Sequence, residues 1–206
     1  MEIVNIEAKY KGEVRLPKDL LDELPSKLML CTTVQFIGFI DEIKRQLRGK
    51  EVVLFKSRHG FYPGQILGCD NFKVNSDVEG FLYVGDGMFH PKALLINEKP
   101  VFVFNPFSEE WSRLGVKEIN EYKIRKKVHL SKFYSADKIG VVVSVKPGQY
   151  NMKGALELKE KLKDKEVYFF ICDNVDEKEF ENFPFIEAWV NTACPRIDLL
   201  HVDEID

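Results

Sequence analysis

The chain has 206 residues, of which 45% are hydrophobic and 31% charged, and its formal net charge is −3. That length suits one large domain or two small ones with a core that needs no covalent staples, and the composition excludes wholesale disorder. The slight acidic excess excludes a global basic field for nucleic acid, and no apolar run reaches the roughly 20 residues of a membrane-spanning helix. In chain order, IVNIEA (3–8) alternates as a strand does. LPKDLLDEL (16–24) places Pro17 at a helix start and Leu20, Leu21 and Leu24 on one face. KLMLCTTVQF (27–36) is a near-continuous apolar run of the kind a buried parallel strand requires. IGFIDEIKRQLR (37–48) reads as a helix closed by Gly49, and EVVLF (51–55) as a strand. A long polar loop, SRHGFYPGQILGCDN (57–71), leads to a strand in GFLYVGDG (80–87), a helix over 90–97 and a strand in PVFVF (100–104).

NPFSEEW (105–111) marks a boundary, with Asn105-Pro106 as a turn and Ser108 as the N-cap of a long helix running to about 137. The same logic then repeats. IGVVVSV (139–145) is a strand, KPGQYN (146–151) a loop, ALELKEKLK (155–163) a helix and EVYFFI (166–171) a buried strand. DEKEFENF (176–183) is a short acidic helix, EAWV (187–190) a strand and NTACPR (191–196) a loop; the acidic tail IDLLHVDEID is expected to pack loosely. The fold class is therefore α/β, with two modules over 1–107 and 108–206. Each has a mainly parallel sheet flanked by helices, with an active crevice expected between them at the carboxyl ends of the strands. Pro63-Gly64-Gln65 and Pro147-Gly148-Gln149 echo one another, as coincidence or as a trace of duplication.

The opening MEIVNIEAKYKGEV has early acids and no apolar segment of a signal peptide. A cytoplasmic location is expected, with the cysteines at 31, 69, 172 and 194 as thiols in no CxxC spacing. All four follow apolar runs, where a lone cysteine is usually a small buried hydrophobe. Other polar residues after such runs include Gln35, His59, Gln65, Asp86, His90, Lys146, Gln149, Asn191 and Arg196. No GxGxxG, Walker loop, HExxH or GxSxG occurs. KIRKKVHLSK (123–132) reads as a solvated helix face, the competing reading being a docking surface.

YPGQILGCD (62–70), FLYVGDGMFHPKAL (81–94), VSVKPGQYN (143–151) and AWVNTACPRI (188–197), with CTTVQF (31–36) and FNPFS (104–108), together resemble the archaeal diphthamide synthase family, the 2-(3-amino-3-carboxypropyl)histidine synthases. The resemblance implies an atypical radical enzyme of three similar α/β domains, each giving one cysteine to a [4Fe–4S] cluster. It implies S-adenosylmethionine on the unique iron and transfer of its 3-amino-3-carboxypropyl group to a histidine of translation elongation factor 2, the first step of diphthamide formation. Carried over by motif, Cys69 and Cys194 look like the ligands of the second and third domains, and the first family domain is absent. A third ligand is then expected from Cys31 or Cys172, from a homodimer, or from a partner chain supplying that domain. Asp86, His90, Gln149 and Asn191 are expected around the amino-acid end of S-adenosylmethionine, with Lys146 or Arg196 neutralising its carboxylate, and Gln35 is expected among the cofactor-binding residues. Neither a membrane nor direct nucleic-acid contact is expected. The alternative function is a non-catalytic partner or scaffold subunit without a cluster of its own.

Overall fold

The computed structural model describes residues 6–57, 60–68, 73–74 and 76–205. The chain divides into two compact units, residues up to 122 and residues from 123 on.

The first unit holds a five-stranded sheet in the order β2-β1-β3-β4-β5, formed by β1 (Lys27–Thr32), β2 (Glu51–Val53), β3 (Gly80–Val84), β4 (Val101–Asn105) and β5 (Glu110–Leu114). The first four strands are parallel and β5 is antiparallel to β4. The central runs are apolar at successive positions because both faces are covered. Leu28, Leu30, Leu82, Val84, Phe102 and Phe104 face one core, shared with Leu20 of α1 (Lys18–Glu23) and Ile40 and Ile43 of α2 (Ile40–Gln46). Met29, Cys31, Phe81, Tyr83, Val101 and Val103 face the other, with Leu94 and Leu95 following α3 (Phe89–Ala93).

Three expectations change here. Residues 6–8 form no strand, while residues 3–5 lie outside the described residues. Residues 34–39 form a 3-10 helix that leads into α2. Ser108 does not cap a helix: residues 110–114 pair with β4, Phe104 opposite Trp111 and Asn105 opposite Glu110. Tertiary contact overrides the local cap signal, because Trp111 packs against Phe102 (centroids 6.4 Å apart) and Arg113 lies 5.3 Å over the same ring. The helix expected from Ser108 starts later, as α4 (Val116–Ser135), which runs across the division between the units.

The second unit holds β6 (Lys138–Ser144), α5 (Met152–Lys161), β7 (Glu166–Cys172), β8 (Ala188–Asn191) and β9 (Leu200–His201). Its sheet is parallel throughout, in the order β7-β6-β8-β9. Second strand, first strand, third, fourth: the order matches the parallel part of the first sheet. Val141, Val143, Val190 and Leu200 pack with Phe133 of α4 and Ala155 and Leu158 of α5. Asn151 caps α5, its side chain accepting from Gly154 N at 2.9 Å. The acidic segment forms a 3-10 helix over 177–182.

The tail is not loose. Leu200 and His201 form β9 and are 1% and 5% exposed. Leu200 completes the apolar face beside Val190, its register partner. The basic stretch of α4 takes part in holding this tail: Arg125 pairs with Asp198 at 3.4 Å and Lys126 with Glu204 at 3.6 Å. Its remaining cations, among them Lys123 and Lys127, are exposed.

The two Pro-Gly-Gln segments adopt the same turn at different places in the fold. Gln65 N donates to Tyr62 O at 3.1 Å and Gln149 N to Lys146 O at 3.0 Å. Gly64 and Gly148 have φ values of 84° and 80°, as the third residue of a type II turn requires. The first turn follows β2, whose counterpart in the second unit is β7, yet the second turn follows β6. The shared strand order, not the tripeptide, is what relates the units.

Candidate functional site

At the carboxyl end of the first sheet, Thr32 closes β1 by donating its hydroxyl to Val84 O at 2.6 Å. Thr32 N donates to Gly64 O and Ile66 N to Thr32 O, both at 2.8 Å, so the Gly64–Ile66 segment lies parallel beside β1. Gln65 is buried, and its Oε1 accepts from Phe61 N at 2.8 Å and Tyr62 N at 3.2 Å. Its amide oxygen therefore pins the loop that leads to residue 69. Gly68 packs against Phe89 so closely that a Cβ would lie 1.8 Å from the ring, which ties this loop to the start of α3. Cys69 itself, like His59, lies outside the described residues.

Around the same end, exposed Asp86 follows β3 and accepts from Asn105 Nδ2 at 2.9 Å. His90 is half-buried in α3, its ring stacked on Tyr83 at 6.2 Å. Gln35 sits half-buried in the 3-10 helix after β1, and its carbonyl accepts from Tyr10 N at 2.9 Å. Cys31 is in the core between Met29 and Tyr83. Burial pushes its thiol up to about 12, so it is a neutral core residue at physiological pH.

The second sheet gathers its candidates at one end as well. Lys146, Gln149, Cys172, Asn191, Cys194 and Arg196 all follow or end β6, β7 and β8. Ser144 and Cys172 are register partners. The Ser144 hydroxyl donates to Asp173 O at 3.2 Å and accepts from Lys146 N at 3.2 Å, so the strand end turns into the Lys146 loop. Lys146 Nζ donates to Asn174 Oδ1. Cys172 is half-buried, and burial first, then the Asp173 charge, hold its thiol above the usual range while Lys146 opposes them. Cys194 is also half-buried, in a loop set by Asn191 and Thr192. Asn191 Oδ1 accepts from Ala193 N at 3.2 Å, and the Thr192 hydroxyl donates to Val142 O at 3.1 Å. Arg196 is half-buried beyond it.

A cavity of about 320 Å³ lies beside Cys172 in the same unit, lined by Phe170, Phe180, Phe183 and Trp189. Trp189 and Phe180 stack on each other at 4.1 Å. Among the described residues no group of three or more His, Cys, Asp or Glu side chains could hold a metal ion.

The sequence reading missed His201. It is register partner to Asn191, with Nδ1 accepting from Asp203 N at 3.2 Å. Burial pulls its pKa below 6.5, against the raising effects of Asp203, the Ala193 backbone and Glu204. A base depressed in the folded state contributes stability that is intact above the unfolded pKa and is lost as pH falls below it. Stability to urea is therefore expected to decline as pH drops below about 6.5. His201→Asn should flatten that part of the profile; an unchanged slope would remove His201 as its source.

The family model of diphthamide synthesis proteins matches residues 4–204. This chain belongs to the diphthamide synthesis protein family. Within that family it is 33% identical over 186 residues to the 2-(3-amino-3-carboxypropyl)histidine synthase of Pyrococcus horikoshii, an alignment covering 87% of this chain and 53% of that one. It is 27% identical over 198 residues to subunit 1 of the enzyme of the same name from Kluyveromyces lactis, covering 91% and 47%. The crystal structure of Dph2 from Pyrococcus horikoshii with a 4Fe-4S cluster superposes with a TM-score of 0.74 at 29% identity, covering 89% of this chain and 57% of that one. The chain thus spans about half the length of the diphthamide-family relatives it matches. The family match and the Dph2 superposition agree with the two mainly parallel α/β sheets seen here. Among the described residues no helix is long and apolar enough to cross a membrane.

Proposed function

We propose that this chain takes part in the first step of diphthamide formation: transfer of a 3-amino-3-carboxypropyl group from S-adenosylmethionine to a histidine of translation elongation factor 2, in the cytoplasm. The observation that carries the reading is Cys194, a half-buried thiol in a loop directly after β8, three residues beyond Asn191, whose buried Nδ2 has no hydrogen-bond partner among the described residues. A soft thiol donor in the same short loop as an unpartnered amide N–H fits an iron–sulfur group, whose sulfurs accept such hydrogen bonds. Cys194 and Cys69 would hold a [4Fe–4S] cluster, which when bound supplies the electron that cleaves the bond between the sulfonium sulfur and the methionine γ-carbon. Cys172, half-buried at a strand end, is a better third ligand than enclosed Cys31.

The remaining residues bind and orient. Lys146 and Arg196 supply positive charge for the methionine carboxylate. Asp86, exposed and held by Asn105, supplies a carboxylate for the ammonium group, and Gln35, His90, Gln149 and Asn191 supply neutral hydrogen-bonding groups around it. The protein contributes position and charge while the cofactors carry the difficult chemistry. Assembly with a second copy or a partner chain belongs to the proposal, because the family motifs carried by this chain supply two cysteines, Cys69 and Cys194, where the family uses three. That the chain spans about half the length of its relatives motivates a second reading, a scaffold subunit that binds its partner without a cluster.

The test is anaerobic reconstitution with iron and sulfide, followed by incubation with S-adenosylmethionine, reductant and elongation factor 2. Iron and sulfide in the protein, with the aminocarboxypropyl mass added to a histidine of the factor, supports the enzyme. Binding to the factor or to a full-length synthase without iron supports the scaffold.

A further inference from the structure

We propose that the aromatic cavity of the second unit is a binding site for a methylated ammonium group, an organic cation whose charge is wrapped in carbon. The site stands apart from the cluster reading and uses the acidic segment 176–183, which the proposed reaction leaves idle. Its volume of about 320 Å³ is at the small end of ligand sites, which span roughly 300–1,000 Å³.

The sheet and the 3-10 helix over 177–182 set its walls. Trp189 and Val190 stand on opposite faces of β8, Val190 toward the core it shares with α5. The register partner of Trp189 is Gly140, where an added Cβ would lie 2.5 Å from Trp189 Cε3. The missing side chain lets the indole lie across the neighbouring strand. Phe180 of the 3-10 helix stacks on the indole at 4.1 Å and 12°. Phe170 and Phe183 meet it at 57° and 68°, and meet each other at 66°. Rings at such steep mutual angles form a corner rather than a flat stack.

Charge selects the ligand. Asp176 and Glu179 complete the lining, and among the described residues no Lys or Arg lines the cavity. Lys146 is held on Asn174 Oδ1 and is not part of the lining. Both acidic residues are exposed, so they stand at the open side. Each is fixed in place: the Asp176 carboxylate accepts from Lys178 N and the Glu179 carboxylate from Asn182 Nδ2, both at 3.0 Å. Ring faces and carboxylates attract a cation and repel an anion. A lysine ammonium or a guanidinium would bring several N–H donors against walls that are mostly rings, and buried donors without acceptors are costly. A fully methylated nitrogen carries the charge with no donor at all, and its methyl groups gain by burial against the rings.

The probe is choline, titrated calorimetrically into the full chain without added iron, beside the neutral alcohol in which carbon replaces the charged nitrogen. Choline is expected to bind roughly tenfold more tightly than the alcohol. Trp189→Leu should weaken choline roughly tenfold and leave the alcohol nearly unchanged. Glu179→Gln keeps an acceptor for Asn182 and should weaken choline about threefold, with no effect on the alcohol. If Trp189→Leu does not fold, Glu179→Gln and Asp176→Asn, both at exposed positions, decide the matter. A peptide carrying trimethyllysine separates the two sources of such a group: tighter binding than choline assigns the site to a modified side chain, and weaker binding assigns it to a free small molecule. No measurable binding of choline, equal affinity for choline and the alcohol, or tighter binding of neutral adenosine than of choline overturns the proposal. None of these results bears on iron uptake, so the cluster reading stands or falls separately.

Discussion

Cys194→Ala is expected to abolish stable iron uptake on reconstitution, whereas Cys31→Ala keeps the parental iron content. Both cysteines follow apolar runs, so they look alike along the chain. The fold separates them. Cys31 sits in the core at 1% exposure, its thiol pushed up to about 12 by burial alone. Only the thiolate ligates iron, and a group enclosed by Met29, Tyr83 and Ile66 offers neither that form nor a path to it. Cys194 is half-buried in a loop whose backbone is already fixed by Asn191 and Thr192, so little ordering is needed when it binds. Removing one of three thiolates leaves an iron site open to solvent and exchange. Cys172→Ala is the arbiter for the third ligand: loss of iron there places it in this chain, and retained iron places it in another. The checks are iron and sulfide content with the visible charge-transfer absorption. Parental iron in Cys194→Ala would remove the central residue of the proposed function.

The second large effect is on the fold. Gly64→Val is expected to destabilise the first unit by about 3 kcal/mol, a left-handed backbone penalty plus overpacking. Gly64 has a φ of 84°, and a Cβ there would lie 2.8 Å from Ile40 Cδ1 and 3.2 Å from Leu54 Cδ2. The carbonyl of Gly64 and the amide of Ile66 both bond Thr32, so strain at this glycine pulls on the end of β1 and on the loop entering residue 69. Gly148→Ala is the matched comparison. Its φ is 80° in the same turn, yet among the described residues no atom lies within 4 Å of an added Cβ. That change should cost only the backbone part, about 1–2 kcal/mol. Equal losses, measured by urea denaturation with the transition of each unit resolved, would show that packing around Gly64 contributes nothing.

The parallel strands were readable because double-sided burial leaves long apolar runs, as in LMLC (28–31) and VVV (141–143). β5 was not, because Glu110, Ser112 and Arg113 are exposed and only pairing with β4 makes that polar stretch a strand. β9 was hidden for a different reason: two residues carry no periodicity, and Leu200 becomes a core residue only beside Val190. His201 was lost with it. The short apolar run at 187–190 correctly placed Asn191 and Cys194 at the carboxyl end of a strand. What no one-dimensional pattern contains is which polar atoms find partners after folding, and that is a property of neighbouring strands.

The margins of the two sheets are guarded differently. In the first, one border strand has three residues and the other presents Glu110 and Arg113, both common protections against foreign strands. In the second, β7 is a seven-residue border strand with Ile171 60% exposed. Such a rim is a template on which another polypeptide can continue the sheet. During refolding at high concentration, self-association would therefore begin on the carboxyl-terminal half, and a single lysine at position 171 would be the economical remedy.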